Sequence, residues 1–273
     1  MSRPQSYAAP GQDDPSLATI NMLLYSHPGE GKTVFWGTGK EKVLYLVSDP
    51  EGTISARAQG HQFHSVQVTD YEELQEVYEW LKEDKPKDFK WVIWDSLTLF
   101  QDRVLIDDIM PDAVAYNPRQ EEFVPSQREY LINMNRIGRY VRLLVDLPYN
   151  VGISCHVMTT LESGGDGNIF MPQVQGKNMP SKISGYMNVI GYLGKREVER
   201  NGVKAKVQTI QFARTGNRYY AKDRFGCLGT YMDSPTLPKV EAKIAAWRQA
   251  MKQQQTEVKS AAPVTARPQA QRK

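Results

Sequence analysis

The sequence is 273 residues long, 40% hydrophobic and 24% charged, with a formal net charge of +3. That length and balance suit one large globular domain with appendages, and two cysteines, Cys155 and Cys227, exclude a disulfide scaffold and fit a reducing compartment. No apolar run is long enough to cross a bilayer, Met1 to Ser16 lacks the apolar core of a signal peptide, and +3 is too weak to argue for nucleic acid unless the basic surface is local. A cytoplasmic protein is expected.

Residues 1–16 carry Pro, Gln and Asp and are expected to be disordered. Residues 17–25, with the apolar run Ile20-Asn21-Met22-Leu23-Leu24-Tyr25, read as a buried strand. The strand enters Ser26-His27-Pro28-Gly29-Glu30-Gly31-Lys32-Thr33, which reads as a phosphate-binding loop before a helix. Its glycines let backbone N–H groups approach a triphosphate, and the helix N-terminus adds positive field. Pro28, Gly29, Glu30, Gly31, Lys32, Thr33 and Val34 would bind ATP. Lys32 would reach the β- and γ-phosphates, and the Thr33 hydroxyl would hold Mg²⁺. The full pattern asks for glycine where this chain has Ser26, a position that mainly serves the turn. The helix from Lys32 should end near Thr38, because Gly37 and Gly39 follow.

Val43-Leu44-Tyr45-Leu46-Val47 is a continuous apolar run, as in a strand covered on both faces. Residues 64–68 form a further short strand. Tyr71 to Lys85 has helical spacing (Leu74, Val77, Tyr78, Leu81), with Thr69 or Asp70 as cap and Pro86 as stop. Trp91-Val92-Ile93-Trp94 is strand-like and ends at Asp95, placed to hold Mg²⁺ through water. The bland alternative is a strand-end carboxylate that caps the next turn. Residues 101–125 predict a helix followed by a mobile insertion, and 126–147 a long helix capped by Ser126. Val151 to His156 is another core strand. Residues 162–182 are rich in Gly, Pro, Asn and Lys without periodicity, which predicts a long functional or disordered loop. Residues 187–198 and 205–213 alternate as strands around Asn201-Gly202, a hairpin signal. Lys239 to Met251 is helical, and 249–273 is read as a basic, disordered tail. The alternation predicts an α/β core over 17–248: a mainly parallel sheet flanked by helices, with an antiparallel hairpin at one edge.

Hydrolysis needs a group that polarises the attacking water. Ligands of open α/β sheets lie beyond the carboxyl ends of the strands, so Ser48-Asp49-Pro50-Glu51-Gly52 delivers two carboxylates near a γ-phosphate. Glu51 is favoured as base and Asp49 is the runner-up; a solvated acidic turn is the bland alternative. His156, at the end of its strand, is a candidate γ-phosphate sensor or a satisfied structural histidine. In Ala221-Lys222-Asp223-Arg224-Phe225-Gly226, Lys222 and Arg224 point the same way in an extended segment and could stabilise phosphoryl charge in a neighbouring subunit. A local salt bridge through Asp223 is the alternative.

The order of these signals resembles the RecA/RadA superfamily of P-loop ATPases, and more narrowly the short RecA-like ATPases of bacteriophages that act in single-strand annealing or recombination. The similarity covers roughly residues 17–248. It implies a RecA-like fold with Glu51 activating water, His156 in the sensor position where glutamine is usual, and Lys222 and Arg224 reaching the neighbouring subunit's ATP. It implies single-stranded DNA on the loop 162–182, where Phe170, Lys177 and Lys182 offer a stacking ring and two cations. Cations of the tail, Lys252, Lys259, Arg267, Arg272 and Lys273, could add phosphate contacts, a solubilising disordered extension being the alternative. The resemblance implies a homo-oligomeric ring or filament, a single-strand binding protein as candidate partner, and the host cytoplasm if the protein is of phage origin. The rivals are a helicase-like translocating motor, a small-molecule P-loop kinase, and a module in which the nucleotide is only structural.

Overall fold

The computed structural model describes residues 19–161, 167–200, 203–214 and 218–261. Residues 1–16, the turn Asn201-Gly202 and the end of the tail lie outside the described residues. In chain order the elements are β1 (Asn21–Ser26), α1 (Lys32–Gly37), β2 (Val43–Val47), α2 (Ile54–Ala58), β3 (His64–Gln67), α3 (Tyr71–Glu83), β4 (Trp91–Asp95), α4 (Leu97–Val104), α5 (Met110–Tyr116), α6 (Gln127–Val145), β5 (Asn150–Leu161), β6 (Asn168–Pro172), α7 (Met179–Tyr186), β7 (Val189–Arg200), β8 (Val203–Gln211), β9 (Lys222–Asp223), β10 (Tyr231–Asp233) and α8 (Leu237–Ala261).

The strands form one sheet in the order β10-β8-β7-β1-β5-β4-β2-β3, with β6 on β5 and β9 on β7. From β7 through β3 the pairs along this order are parallel, and β7, β8 and β10 close one edge in antiparallel pairs. This is the expected α/β class with its hairpin edge. Each central strand is apolar on both faces because helices cover both. Leu23 and Tyr25 of β1 pack with α3, α4, α6 and α7, whereas Met22 and Leu24 pack with α1 and α8. Trp36, Trp91 and Trp94 are fully buried, and each such side chain contributes about 2–3 kcal/mol. The caps are local: Asp70 accepts from the Glu73 N–H at 2.8 Å, and Ser126 with Glu129 makes a reciprocal capping box at the head of α6.

Residues 101–116 are helical, α4 passing through a π-turn at Leu105–Ile109 into α5 because Leu105, Ile109 and Met110 are buried, and residues 117–126 that follow hold no helix or strand. Two expectations are corrected. The stretch 162–182 is no structureless loop. Its described part holds β6, which pairs antiparallel with β5 from Val157↔Pro172 to Leu161↔Asn168, and the start of α7. A five-residue strand is too short to show a period among glycines and asparagines. Gly176 makes the turn between them at φ +103°, where a Cβ would meet Met134 Sδ at 2.0 Å. Second, α8 continues to Ala261, through residues whose Gln- and Lys-rich composition reads as tail. Gln, Lys and Glu are good helix formers once a packed helix has been started by Leu237, Val240 and Ile244.

Candidate active site

Three parallel strands end together. β1 feeds the phosphate loop, β5 lies directly beside it, and β4 lies beyond β5. Their carboxyl ends open onto a cleft of about 510 Å³ lined by Pro28 through Val34, Asp49, Asp95, Ser96 and His156, together with residues of the β7–β8 hairpin. All seven predicted nucleotide-binding residues therefore line one cleft.

The loop's shape follows from its residues. Gly29 and Gly31 have φ of +77° and +89°, and a Cβ on Gly31 would meet Gln208 Nε2 at 2.8 Å. Lys32 is only 8% exposed, and its ammonium donates to Ser26 O at 3.3 Å, Ser26 Oγ at 3.1 Å and His27 O at 3.3 Å. Ser26 thus does more than serve the turn. Its hydroxyl is an acceptor that glycine cannot offer. Burial depresses the Lys32 pKa, and the field of Asp95 works against that shift.

Thr33 Oγ1 donates to Asp95 Oδ2 at 2.6 Å, and Thr33 O accepts from Tyr45 OH at 2.6 Å. The Asp95 carboxyl is pushed above its ordinary range by burial, against hydrogen bonds from Thr33 and Ser154 and the charge of Lys32. A desolvated carboxylate beside a threonine hydroxyl is a hard-oxygen pair that suits Mg²⁺. Among the described residues no cluster of His, Cys, Asp and Glu could hold a metal ion alone. An ion here would draw its remaining ligands from phosphate and water, as Mg²⁺ commonly does.

The structure separates the two candidate bases. Asp49 lines the cleft and adds to the upward shift of Asp95, whereas Glu51 is exposed and does not line it. Glu51, the favoured base, thus stands outside the residues that line the cleft, and the runner-up Asp49 among them. The reason is local. The Glu51 N–H donates to Asp49 Oδ1 at 3.2 Å and the Gly52 N–H to Asp49 O at 2.9 Å, so the turn folds back over Asp49 and directs Glu51 outward.

His156 is half-buried at the cleft, and burial and the charge of Lys32 lower its pKa. It therefore faces the cleft as neutral imidazole, a donor and an acceptor at once. Its backbone connects the cleft to the hairpin behind. The His156 N–H donates to Thr98 Oγ1 at 3.0 Å, Thr98 Oγ1 donates to Gln173 O at 2.7 Å, and the Gln173 N–H returns to His156 O at 2.8 Å. Cys155, just before it, is fully buried and its thiol is pushed up to about 12 by burial, as expected of a core residue.

Lys222 and Arg224 lie away from this cleft. They donate to Ser184 O at 2.8 Å and Gly185 O at 3.1 Å, at the end of α7. Asp223 makes no salt bridge with them; its carboxylate accepts from the N–H groups of Phe225 and Leu228. Of the DNA candidates, Lys177 and Lys182 are exposed. The Phe170 ring is half-buried and stacks on Tyr219 at 4.8 Å, and Tyr219 stacks on Tyr192 at 3.7 Å. Phe170 is thus part of a packed aromatic ladder rather than a bare stacking face. Residues 162–166 of this stretch fall outside the described residues.

Two residues at the cleft have no signal in the sequence. Lys195 and Gln208 are direct cross-strand partners in the β7–β8 hairpin. Gln208 Nε2 donates to Glu30 O at 2.6 Å, and Lys195 Nζ lies 3.8 Å from Glu30 Oε2. They sit on polar positions of alternating strands, which read as solvent-facing.

The AAA domain family matches residues 18–225. None of the curated proteins matches the sequence. Among solved structures, the chain is similar to a crystal structure of the RadB recombinase, at 16% identity over 70% of this chain and 79% of that one. The TM-score is 0.38, a superposition too loose to argue from.

Proposed function

We propose, from the premise that the chain belongs to the AAA domain family, that it is a RecA-like ATPase acting in DNA recombination. It binds ATP with Mg²⁺, holds single-stranded DNA, and promotes annealing or strand pairing in a homo-oligomer. The observation that carries the ATPase reading is the meeting of Lys32 and Thr33, at the head of α1, with Asp95, at the end of β4, in one cleft. Mg²⁺, when bound, would neutralise charge on the phosphates. Thr33 and Asp95 would hold it, and Lys32 would hold the phosphates. Neutral His156 would donate a hydrogen bond to the terminal phosphate. The Thr98 and Gln173 contacts behind it support a route from nucleotide to the β5–β6 hairpin and α7, where Lys177 and Lys182 would meet DNA.

We assign water activation to Asp49. Asp49→Asn is expected to lower turnover by about 10²-fold or more while ATP still binds, and Glu51→Gln to leave turnover within a few-fold. The reverse ranking in steady-state hydrolysis would return the role to Glu51. Lys222 and Arg224 are assigned to the neighbouring protomer's ATP, since neither lines the cleft of its own chain.

The whole reading is tested by ATP turnover with and without single-stranded DNA, with particle size followed in parallel. Hydrolysis that rises with DNA, in particles larger than one chain, is the expected result. Directional unwinding of a tailed duplex would favour a translocating motor, and phosphate transfer to a metabolite would favour a kinase. Absence of any nucleotide turnover would refute the proposal.

A further inference from the structure

Among the described residues the cleft is lined by two lysines, and they are held differently. Lys32, in the phosphate loop, is buried and donates to three neutral oxygens. Lys195 reaches the cleft from β7, at the antiparallel edge of the sheet. Its side chain is 57% exposed, and its ion partner among the described residues, Glu30 Oε2, lies 3.8 Å away, beyond hydrogen-bond range. The ATPase reading gives it no task.

The sheet sets this position. β7 runs parallel to β1, the strand that feeds the loop, in register from Met22↔Val189 to Tyr25↔Tyr192. Lys195 follows Tyr192 by three residues, so it stands about 10 Å past the last pair, abreast of the loop that β1 has become. Gln208, directly opposite on β8, donates to Glu30 O at 2.6 Å and fixes the hairpin against the loop.

Glu30 is the one acid between Ser26 and Thr33. Its Oε2 is sealed from solvent with no hydrogen-bond donor among the described residues. Burial lowers the Lys32 pKa, and the Glu30 charge is among those that work against that shift, so its field reaches the loop's own lysine. Such a carboxylate opposes a polyphosphate, and Lys195 beside it cancels one charge. A lysine built for that purpose alone would close a charge-assisted hydrogen bond with the acid. Lys195 stays long of it, exposed at the edge of the cleft, where a phosphate oxygen would be a more highly charged partner than Glu30. We propose that Lys195 is a second phosphate-binding cation, which leaves Glu30 for a phosphate oxygen when ATP enters and stabilises charge there in the transition state. The inference rests on the ATPase reading and adds to it a cation that, unlike Lys222 and Arg224, acts within its own chain.

The test is a double-mutant cycle in the full chain, read by ATP turnover and by equilibrium nucleotide binding. Lys195→Gln should lower turnover by about 10²-fold. Glu30→Gln should hold nucleotide more tightly than the parent, because an opposing charge is gone and Lys195 is released. The combined variant separates the two roles. A lysine that only neutralised Glu30 would be dispensable once Glu30 is neutral, and turnover would return to the parental rate. A lysine that meets phosphate is missed as before, so the combined variant should stay within a few-fold of Lys195→Gln. Recovery of the combined variant, parental turnover in Lys195→Gln, or weaker nucleotide binding by Glu30→Gln would overturn the proposal. Lys32→Ala serves as control: its loss of turnover beside an unaffected Lys195→Gln would sink this inference alone, whereas parental turnover in Lys32→Ala would sink the ATPase reading beneath it.

Discussion

Lys32→Ala is expected to reduce ATP turnover by about 10²- to 10³-fold, the loss that follows removal of one charge-stabilising donor from a preorganised site. The side chain is nearly buried, yet its ammonium touches only neutral oxygens of the loop, two of Ser26 and one of His27. A cation held in that way is placed for an anion. Burial already works against its charge, so its removal relieves a desolvated group rather than breaking an ion pair. The variant should therefore fold, with a thermal midpoint close to that of the parent, and fail to hold nucleotide in an equilibrium binding assay. Turnover at the parental rate would remove the phosphate loop from the mechanism, and the ATPase reading with it.

Asp95→Asn is expected to be as damaging to turnover but different in kind. Coordination chemistry of this sort supplies several kcal/mol, or about 10²- to 10³-fold. The amide is a poor ligand for Mg²⁺, so the magnesium dependence of residual hydrolysis should move to higher concentration while nucleotide binding persists. A pH signature accompanies it. The Asp95 carboxyl is raised in the folded state by burial. A raised acid favours folding while protonated, and that advantage is lost as pH rises from the ordinary carboxylate range, about 4, through the raised folded value. Asn does not titrate. The stability of Asp95→Asn relative to the parent should thus improve as pH rises across that window, measured by urea unfolding at several pH values. A pH-independent difference would mean that the carboxylate is not desolvated as the fold places it.

Much of this site was legible in the chain because its parts are local. The phosphate loop is eight consecutive residues, and Asp95 ends an apolar run whose burial is visible in composition. The hairpin edge announced itself through alternation. What stayed hidden was what depends on a partner. The orientation of the Asp49–Gly52 turn is set by two hydrogen bonds to Asp49 that no spacing rule encodes. β6 has no identity without β5 beside it. Gln208 and Lys195 reach the loop from far along the chain, through residues that a strand pattern assigns to water. Phe170 looked free because its partner Tyr219, which stacks in turn on Tyr192, is distant in sequence.

The pairing of Lys195 with Gln208 has a mechanical consequence. Side chains on a strand alternate between faces, and β7 is held in register by β1, so a slip of β8 by a single residue would turn Gln208 away from Glu30 and leave Lys195 where it is. The register between these two strands is therefore a ruler for the cleft: a one-residue slip breaks the clamp on the Glu30 carbonyl without altering any residue of the loop.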